Sequence, residues 1–399
     1  MMITNKYIRK LVWGIGFASF CFILYGLYNL MLKKRNKVII SVAGTKHSLF
    51  SIADIFMFIF MTIFAGIRLN VGSDYYNYFI RFNNANENLT SIKDVIFTSD
   101  GYRLLSVIVK QFTENEYAIF SVVAIIIYSH LFFFINKETE DKSSAFACYL
   151  FLGFFSNSLN ILRQCIAMML VINFYISFRE RKIAKSLIFV LLSFMFHYSS
   201  IFAIIIIAAI TICKPKPTKI LLIVSILGGT IFAIFLPQII SVLIKFIPSA
   251  SGYVNYANWR RNSQIRLIIA VTGMSLIYIF LLIYIIKLKD KIKSVNKNHY
   301  MEITFLIIGL CINIASIRIW VAHRIALYFY QFIIFIIPSL LKSMNEPQKG
   351  RLKKLLFTTM FVYLIFSGIF LGENEYCSYN TIFSGGKPIY DADFNRFLN

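Results

Sequence analysis

Across 399 residues this chain carries only 15% charged side chains against 58% hydrophobic ones. A soluble domain holds about 25% charged residues, which excludes a water-soluble globular fold for the bulk of the chain. The formal net charge of +23 would suggest nucleic acid in a soluble protein. In a chain this apolar, basic loops fix membrane topology and meet anionic headgroups, so the bilayer and not nucleic acid is the expected partner.

Apolar runs of about 15–22 residues recur from end to end, each bounded by Lys/Arg clusters, and such lengths match the hydrocarbon core. Only helices or closed barrels satisfy their backbone there, and period-two alternation is absent. The expected fold class is therefore all-α: a polytopic integral membrane protein with about 11–12 transmembrane helices, forming a single transmembrane domain over 1–399.

The first run, 11–32 (LVWGIGFASFCFILYGLYNLML), is too long for the apolar part of a cleaved signal peptide and lacks a small-residue cleavage site, so it reads as a span. Further spans are expected at 50–67, 117–135, 144–161, 163–178, 186–212, 219–240, 265–286, 301–317, 324–341 and 353–371. The run 186–212 is short for two crossings and long for one. Basic segments on both sides (RERKIAK before, KPKPTK after) put both of its ends in the cytoplasm. It reads as a short or re-entrant hairpin with His197-Tyr198-Ser199-Ser200 at its tip.

That assignment leaves 68–116 as the first large outer loop and 372–399 as an outer C-terminal tail. The cytoplasmic segments then hold 24 Lys+Arg, 20 of them Lys, and the outer segments 17, of which 11 are Arg. Three of the outer positives, Lys6, Arg9 and Lys10, precede the first span and run against the rule. Topology needs only charge, whereas the planar guanidinium grips phosphate or carboxylate bidentately. An Arg-rich outer face points to an anionic ligand there.

Candidate site residues follow from that asymmetry. Arg68, Gly72-Ser73-Asp74-Tyr75 and Tyr78 open the first outer loop. Gly-Ser-Asp is ordinary turn chemistry and tyrosines gather at membrane interfaces. Aromatic faces also pack on sugar rings, and a carboxylate can accept a hydroxyl proton. Arg163-Gln164 interrupts an apolar stretch, where a charged residue commonly snorkels. His197 lies between apolar segments, where a satisfied core histidine is common. Arg318 and Arg324 bracket Trp320 and His323, and Trp259-Arg260-Arg261 shares another outer loop with Tyr253 and Tyr256. Asp391-Ala392-Asp393 has the form of a nucleotide-sugar motif, but on the outer side it reads as chance. The six cysteines, among them Cys377 in the polar tail, show no CxxC or Cys/His spacing, so no disulfide framework, metal or cofactor is expected.

Taken in order, Arg68…Gly72-Ser-Asp74-Tyr75…Tyr78, Asp100-Gly101-Tyr102, Leu162-Arg163-Gln164…Ala167, Phe196-His197-Tyr198-Ser199-Ser200, Arg324-Ile325…Tyr328 and Tyr379-Asn-Thr-Ile-Phe383 resemble the Wzy-type polysaccharide polymerases, in the EpsG-like branch. The resemblance covers roughly 50–385; each motif is short, and their order carries the weight. Asp100 departs from the pattern, which has Glu in that segment. The resemblance implies a GT-C-like helical architecture and a glycosyltransferase that polymerises undecaprenyl-pyrophosphate-linked repeat units into O-antigen, capsular or exopolysaccharide. It would work at the outer face of the bacterial cytoplasmic (inner) membrane, with a chain-length regulator as a further partner.

In that chemistry Asp74 or His197 would serve as base. Arg68, Arg163, Arg318 and Arg324 would grip pyrophosphate, and Tyr75, Tyr78, Gln164 and Tyr328 would contact substrate. The competing readings are another lipid-linked glycosyltransferase, an O-antigen ligase, and a lipid-linked oligosaccharide transporter or flippase. A ligase should carry one large late outer loop, and a flippase should carry cations along a central path.

Overall fold

The computed structural model describes residues 2–33, 50–85, 100–246, 264–318, 321–368 and 379–384. The chain divides into two compact units, Met1–Ile201 with Met360–Asn399, and Phe202–Thr359.

In the first unit, α1 (Met2–Lys33) is followed by α2 (Ile52–Gly66), the short strand β1 (Arg68–Leu69), and two short helices, α3 (Tyr75–Asn83) and α4 (Gly101–Lys110). Next come α5 (Ala118–Glu138), α6 (Lys142–Phe151), α7 (Phe154–Asn160), α8 (Leu162–Arg179) and α9 (Ile183–Phe196). The second unit holds most of α10 (Ser200–Cys213), then α11 (Lys219–Phe246), α12 (Gln264–Lys287), α13 (Lys289–Val295), α14 (Lys297–Ala315), α15 (Val321–Tyr330) and α16 (Ile333–Lys342). Helix α17 (Glu346–Phe366) leads back into the first unit, to which β2 (Asn380–Thr381) also belongs.

The fold is all-α and multi-pass, as the apolar runs predict. Among the described residues four helices are long and apolar enough to cross a membrane: Gly14–Lys33, Ala118–Glu138, Lys297–Ala315 and Ala322–Lys342. A fifth forms if Val271–Lys287 and Lys289–Val295, bent by 69°, are one span. Other predicted runs are interrupted. The run at 144–161 breaks where Gly153 adopts φ +80 between α6 and α7, a backbone that glycine reaches without a Cβ clash. The run at 186–212 breaks at His197–Ser199 into two 14-residue helices. At 1.5 Å per residue each is about 21 Å long, short of a core about 30 Å thick.

The first unit is built around α8, which is buried on nearly every side, as a helix without a polar face must be. Phe155 of α7 joins rings from three other helices, Phe17 at 5.9 Å, Phe64 at 5.8 Å and Tyr128 at 6.2 Å. One end of the unit is locked by Asp54, whose side chain also completes a capping box with Ser51 at the start of α2. The buried Asp54 carboxylate accepts from Tyr28 Oη at 2.5 Å, Ser51 N at 2.7 Å, Lys142 Nζ at 3.1 Å and Asn136 Nδ2 at 3.2 Å. It thereby joins α1, α2, α5 and α6. At the same end Arg179 of α8 donates to both oxygens of Glu138, at 3.0 and 3.1 Å.

In the second unit α14 packs against α11, α12 and α15. Gly229 admits the closest approach, since a Cβ there would lie 2.5 Å from the Cys311 carbonyl. Tyr278 and Tyr330 stack at 3.6 Å. The polar centre of this unit is Asn313, which donates to Ser275 Oγ at 3.0 Å and pairs with His323 Nδ1 at 2.7 Å.

Candidate functional site

Opposite the Asp54 lock, the C-terminal end of α2 passes into β1, and β1 pairs antiparallel with β2 in the register Arg68↔Thr381 and Leu69↔Asn380. Ile382 N donates to Ile67 O at 2.9 Å. The Tyr379 ring stacks on Phe64 at 4.1 Å, and its hydroxyl donates to the Phe64 carbonyl. Residues 379–382 are thus fastened to the end of α2 and to the strand that follows it.

Arg68, itself part of that pairing, is only 1% exposed. Its Nη1 donates to the Ala65 carbonyl, while Nε and Nη2 have no hydrogen-bond partner among the described residues. The guanidinium sits 4.6 Å from the Phe120 ring centre and 6.0 Å from that of Tyr75, distances at which a cation is drawn to an aromatic face. Burial lowers the Arg68 pKa, and the neighbouring hydroxyls of Tyr128, Tyr75, Tyr379 and Tyr102 oppose that shift. Burial likewise raises the Tyr75 hydroxyl, with Arg68 pulling it back. An arginine starts so far above neutrality that it keeps its charge.

From Arg68 the chain turns through Asn70 (φ +55) and Gly72 (φ +101) onto the break between α7 and α8. Asn160, 3% exposed at that break, accepts from Asp74 N at 2.9 Å and Ser73 Oγ at 3.3 Å through its amide oxygen. Asp74 is half-buried at the start of α3, and its side chain does not cap the helix. Tyr78, one turn on, packs at 5.0 Å against Tyr102, whose hydroxyl donates to the Tyr78 carbonyl at 3.0 Å.

Arg163 follows Asn160 in the first turn of α8. Its backbone N–H donates to Tyr78 Oη at 3.4 Å, and its Nε donates to the Phe196 carbonyl at 3.2 Å. Phe196 ends α9 and precedes His197, which is extended, half-buried, stacked on Tyr198 at 5.3 Å and hydrogen-bonded through Nδ1 to Ser199 Oγ at 2.6 Å. Helix α4 joins the cluster because Gly101 lets it approach α9: a Cβ there would meet Met195 O at 3.0 Å.

Five stretches of sequence therefore converge on one end of the first unit: 68–78, 100–102, 160–164, 196–199 and 379–382. A family model described as EpsG family matches residues 51–381, a range that takes in nearly all of these stretches. The chain belongs to the EpsG family. That is a family of Wzy-like polysaccharide polymerases, so at family level the protein is a glycosyltransferase-like polymerase. Neither a curated protein nor a solved structure matches it.

Within this EpsG-family chain the predicted site residues divide between the units. Asp74, Tyr75, Tyr78, Arg68, Arg163, Gln164 and His197 belong to the first. Tyr75 and Gln164 are buried, and Arg163 and His197 are half-buried. Arg318, Arg324 and Tyr328 belong to the second, where Arg318 is exposed, Arg324 is half-buried and Tyr328 is fully buried. Tyr253, Tyr256, Trp259, Arg260, Arg261, Trp320, Cys377, Asp391 and Asp393 lie outside the described residues. Among the described residues no His/Cys/Asp/Glu group could hold a metal ion.

Sequence reasoning passed over two residues. Asn160 holds the Ser73–Asp74 turn, and a polar residue three positions before Arg163 in an apolar stretch was its one available signal. Asp54 locks the opposite end, and the Ser51-x-x-Asp54 capping pattern was legible but reads as ordinary helix punctuation.

Proposed function

We propose that this protein joins undecaprenyl-pyrophosphate-linked oligosaccharide repeat units into O-antigen or capsular polysaccharide at the outer face of the bacterial cytoplasmic membrane. The observation that carries this reading is the tethering of Arg163. Its backbone and its Nε are both fixed, by Tyr78 and Phe196, in the cluster that also contains Asp74 and His197. A guanidinium held in advance stabilises charge that develops on a departing diphosphate without reorganising.

In the proposed step the acceptor sugar hydroxyl loses its proton to Asp74 or His197. Its oxygen bonds to the anomeric carbon of the donor, and the bond from that carbon to the diphosphate oxygen breaks. Undecaprenyl diphosphate leaves, with Arg163 countering its charge. Tyr78 offers an aromatic edge to sugar or lipid, and the apolar helices take the polyprenyl tail into the bilayer. Arg318 and Arg324 are proposed as further phosphate-binding groups on the second unit, and a chain-length regulator as a partner.

The test is loss of the gene in its host, with complementation by wild type and by Arg163→Ala, Asp74→Asn and His197→Ala, read on a surface-glycan gel. Polymerase action predicts a single capped repeat in the knockout and no ladder from Arg163→Ala at normal expression. A knockout in which no lipid-linked repeat reaches the surface would indicate translocation instead. If Asp74→Asn and His197→Ala both restore wild-type polymer length, neither is the base.

A further inference from the structure

We propose that the C-terminal segment Tyr379–Ile382 is a positioning clamp for the site: by fastening β1 it fixes buried Arg68 and, through the turn that follows, the placement of Asp74. The catalytic part of this inference rests on the polymerase reading above, while the clamp itself does not.

Three observations carry it. The first is the reach of the contact. Tyr379 meets Phe64 across 315 residues of chain, by a ring stack at 4.1 Å and a hydroxyl bond to the Phe64 carbonyl. The following pairs Leu69↔Asn380 and Arg68↔Thr381, with the Ile382–Ile67 bond, hold the strand that continues from that helix. A contact between such distant segments needs a specific anchor, because closing that loop costs entropy and two residues of ladder return little. The aromatic stack supplies the anchor.

The second is the condition of Arg68. A guanidinium 1% exposed, with Nε and Nη2 lacking a hydrogen-bond partner among the described residues, is better solvated in water than where it sits. Attraction to Phe120 and Tyr75 offsets part of that cost. Without a covering strand the arginine would be free to swing out, as arginines at the ends of spans do.

The third is connectivity. Only five residues separate Arg68 from Asp74, and their path is fixed at its far end by the Asn160 amide oxygen, which accepts from Ser73 and Asp74. The turn is therefore held at the β1–β2 pair as well as at Asn160, and releasing the pair loosens the end from which Asp74 is reached. Tyr379 acts on the reaction through Arg68 and Asp74.

The experiment uses the full-length protein in lipid nanodiscs, as wild type, Tyr379→Phe, Tyr379→Ala and Ile382→Pro. Phenylglyoxal, which modifies accessible guanidinium groups, is followed by peptide mass spectrometry at Arg68, and polymer formation is measured in parallel on a lipid-linked repeat unit. Tyr379→Phe keeps the stack and loses the hydroxyl bond, and Ile382→Pro removes the N–H that reaches Ile67. The clamp predicts Arg68 protected in wild type and Tyr379→Phe, and modified in Tyr379→Ala and Ile382→Pro. Displacing a reacting group by ~1 Å costs about a hundredfold in rate. A loss of that order in kcat is expected for Tyr379→Ala, with KM little changed and most activity retained by Tyr379→Phe. Protection of Arg68 in all four proteins overturns the clamp. Modification of Arg68 with kcat unchanged overturns its positioning role. The labelling result needs no substrate, so it decides the clamp even if the protein makes no polymer.

Discussion

Gly72→Ala tests whether the turn carrying Asp74 must lie where it does. The substitution forces an L residue to φ +101, and such sparsely populated backbone costs about 1–3 kcal/mol. The added Cβ would sit 2.9 Å from Leu159 O, 3.0 Å from Asn160 Oδ1 and 3.2 Å from Asn160 Cα, where ordinary contact begins at 3.4 Å. Two of those three atoms are backbone, so the turn itself must back away, by roughly 0.5 Å, and a hydrogen bond stretched by that much is weakened. The bond from Asp74 N to Asn160 Oδ1, now 2.9 Å, is the one that suffers, adding at most about 1 kcal/mol. If ~1 Å of misplacement costs about a hundredfold in rate, half of that costs about tenfold.

Gly153→Ala is the matched control. Its backbone is also left-handed, at φ +80, but the nearest atom to a new Cβ is Ser156 Oγ at an easy 3.5 Å. It bears the backbone cost without moving Asp74. Thermal unfolding of the purified proteins in detergent, read beside polymer formation on a lipid-linked repeat, separates the two effects. Both variants should be destabilised, and only Gly72→Ala should lose turnover beyond what its stability explains. Equal activity in the two, at equal amounts of folded protein, would refute the argument that Asn160 sets the position of Asp74.

Two further perturbations act at the opposite end of the first unit. Asp54→Ala leaves the buried Tyr28 hydroxyl without its acceptor and removes the partner of Lys142, whose side chain is 21% exposed and can partly turn to water. The combined loss is about 3 kcal/mol, and a melting curve unchanged from wild type would show that the carboxylate does not hold the four helices together. Glu180 is pushed up by burial and pulled further down by hydrogen bonds from Lys182 and Lys137, to about 2 from 4.5. A depressed carboxyl contributes stability that is present above its unfolded pKa and is lost as pH falls through the folded one. The stability difference between wild type and Glu180→Gln should therefore shrink between pH 4.5 and about 2; a difference that stays constant over that window would remove the carboxylate from the account.

The amino-acid sequence by itself determined where helices run and which segments are basic, because both follow from local composition. Apolar runs must be helical in hydrocarbon, and Lys clusters must stay out of it. The observed bounds of α2 (Ile52–Gly66), α5 (Ala118–Glu138), α8 (Leu162–Arg179) and α14 (Lys297–Ala315) lie close to the runs read at 50–67, 117–135, 163–178 and 301–317. The motif residues could also be picked out, since polar groups stand out against an apolar background. What they touch could not. Arg68 reads as an arginine at the end of a span, where snorkelling is the ordinary outcome, and only the tertiary structure buries it, in a strand paired with another 312 residues further on. A two-residue strand has no periodicity to detect. The contacts that fix Arg163 end on a carbonyl and a tyrosine hydroxyl, and a backbone carbonyl has the same chemistry at every residue. Its position is set by where α9 stops, which tertiary packing decided.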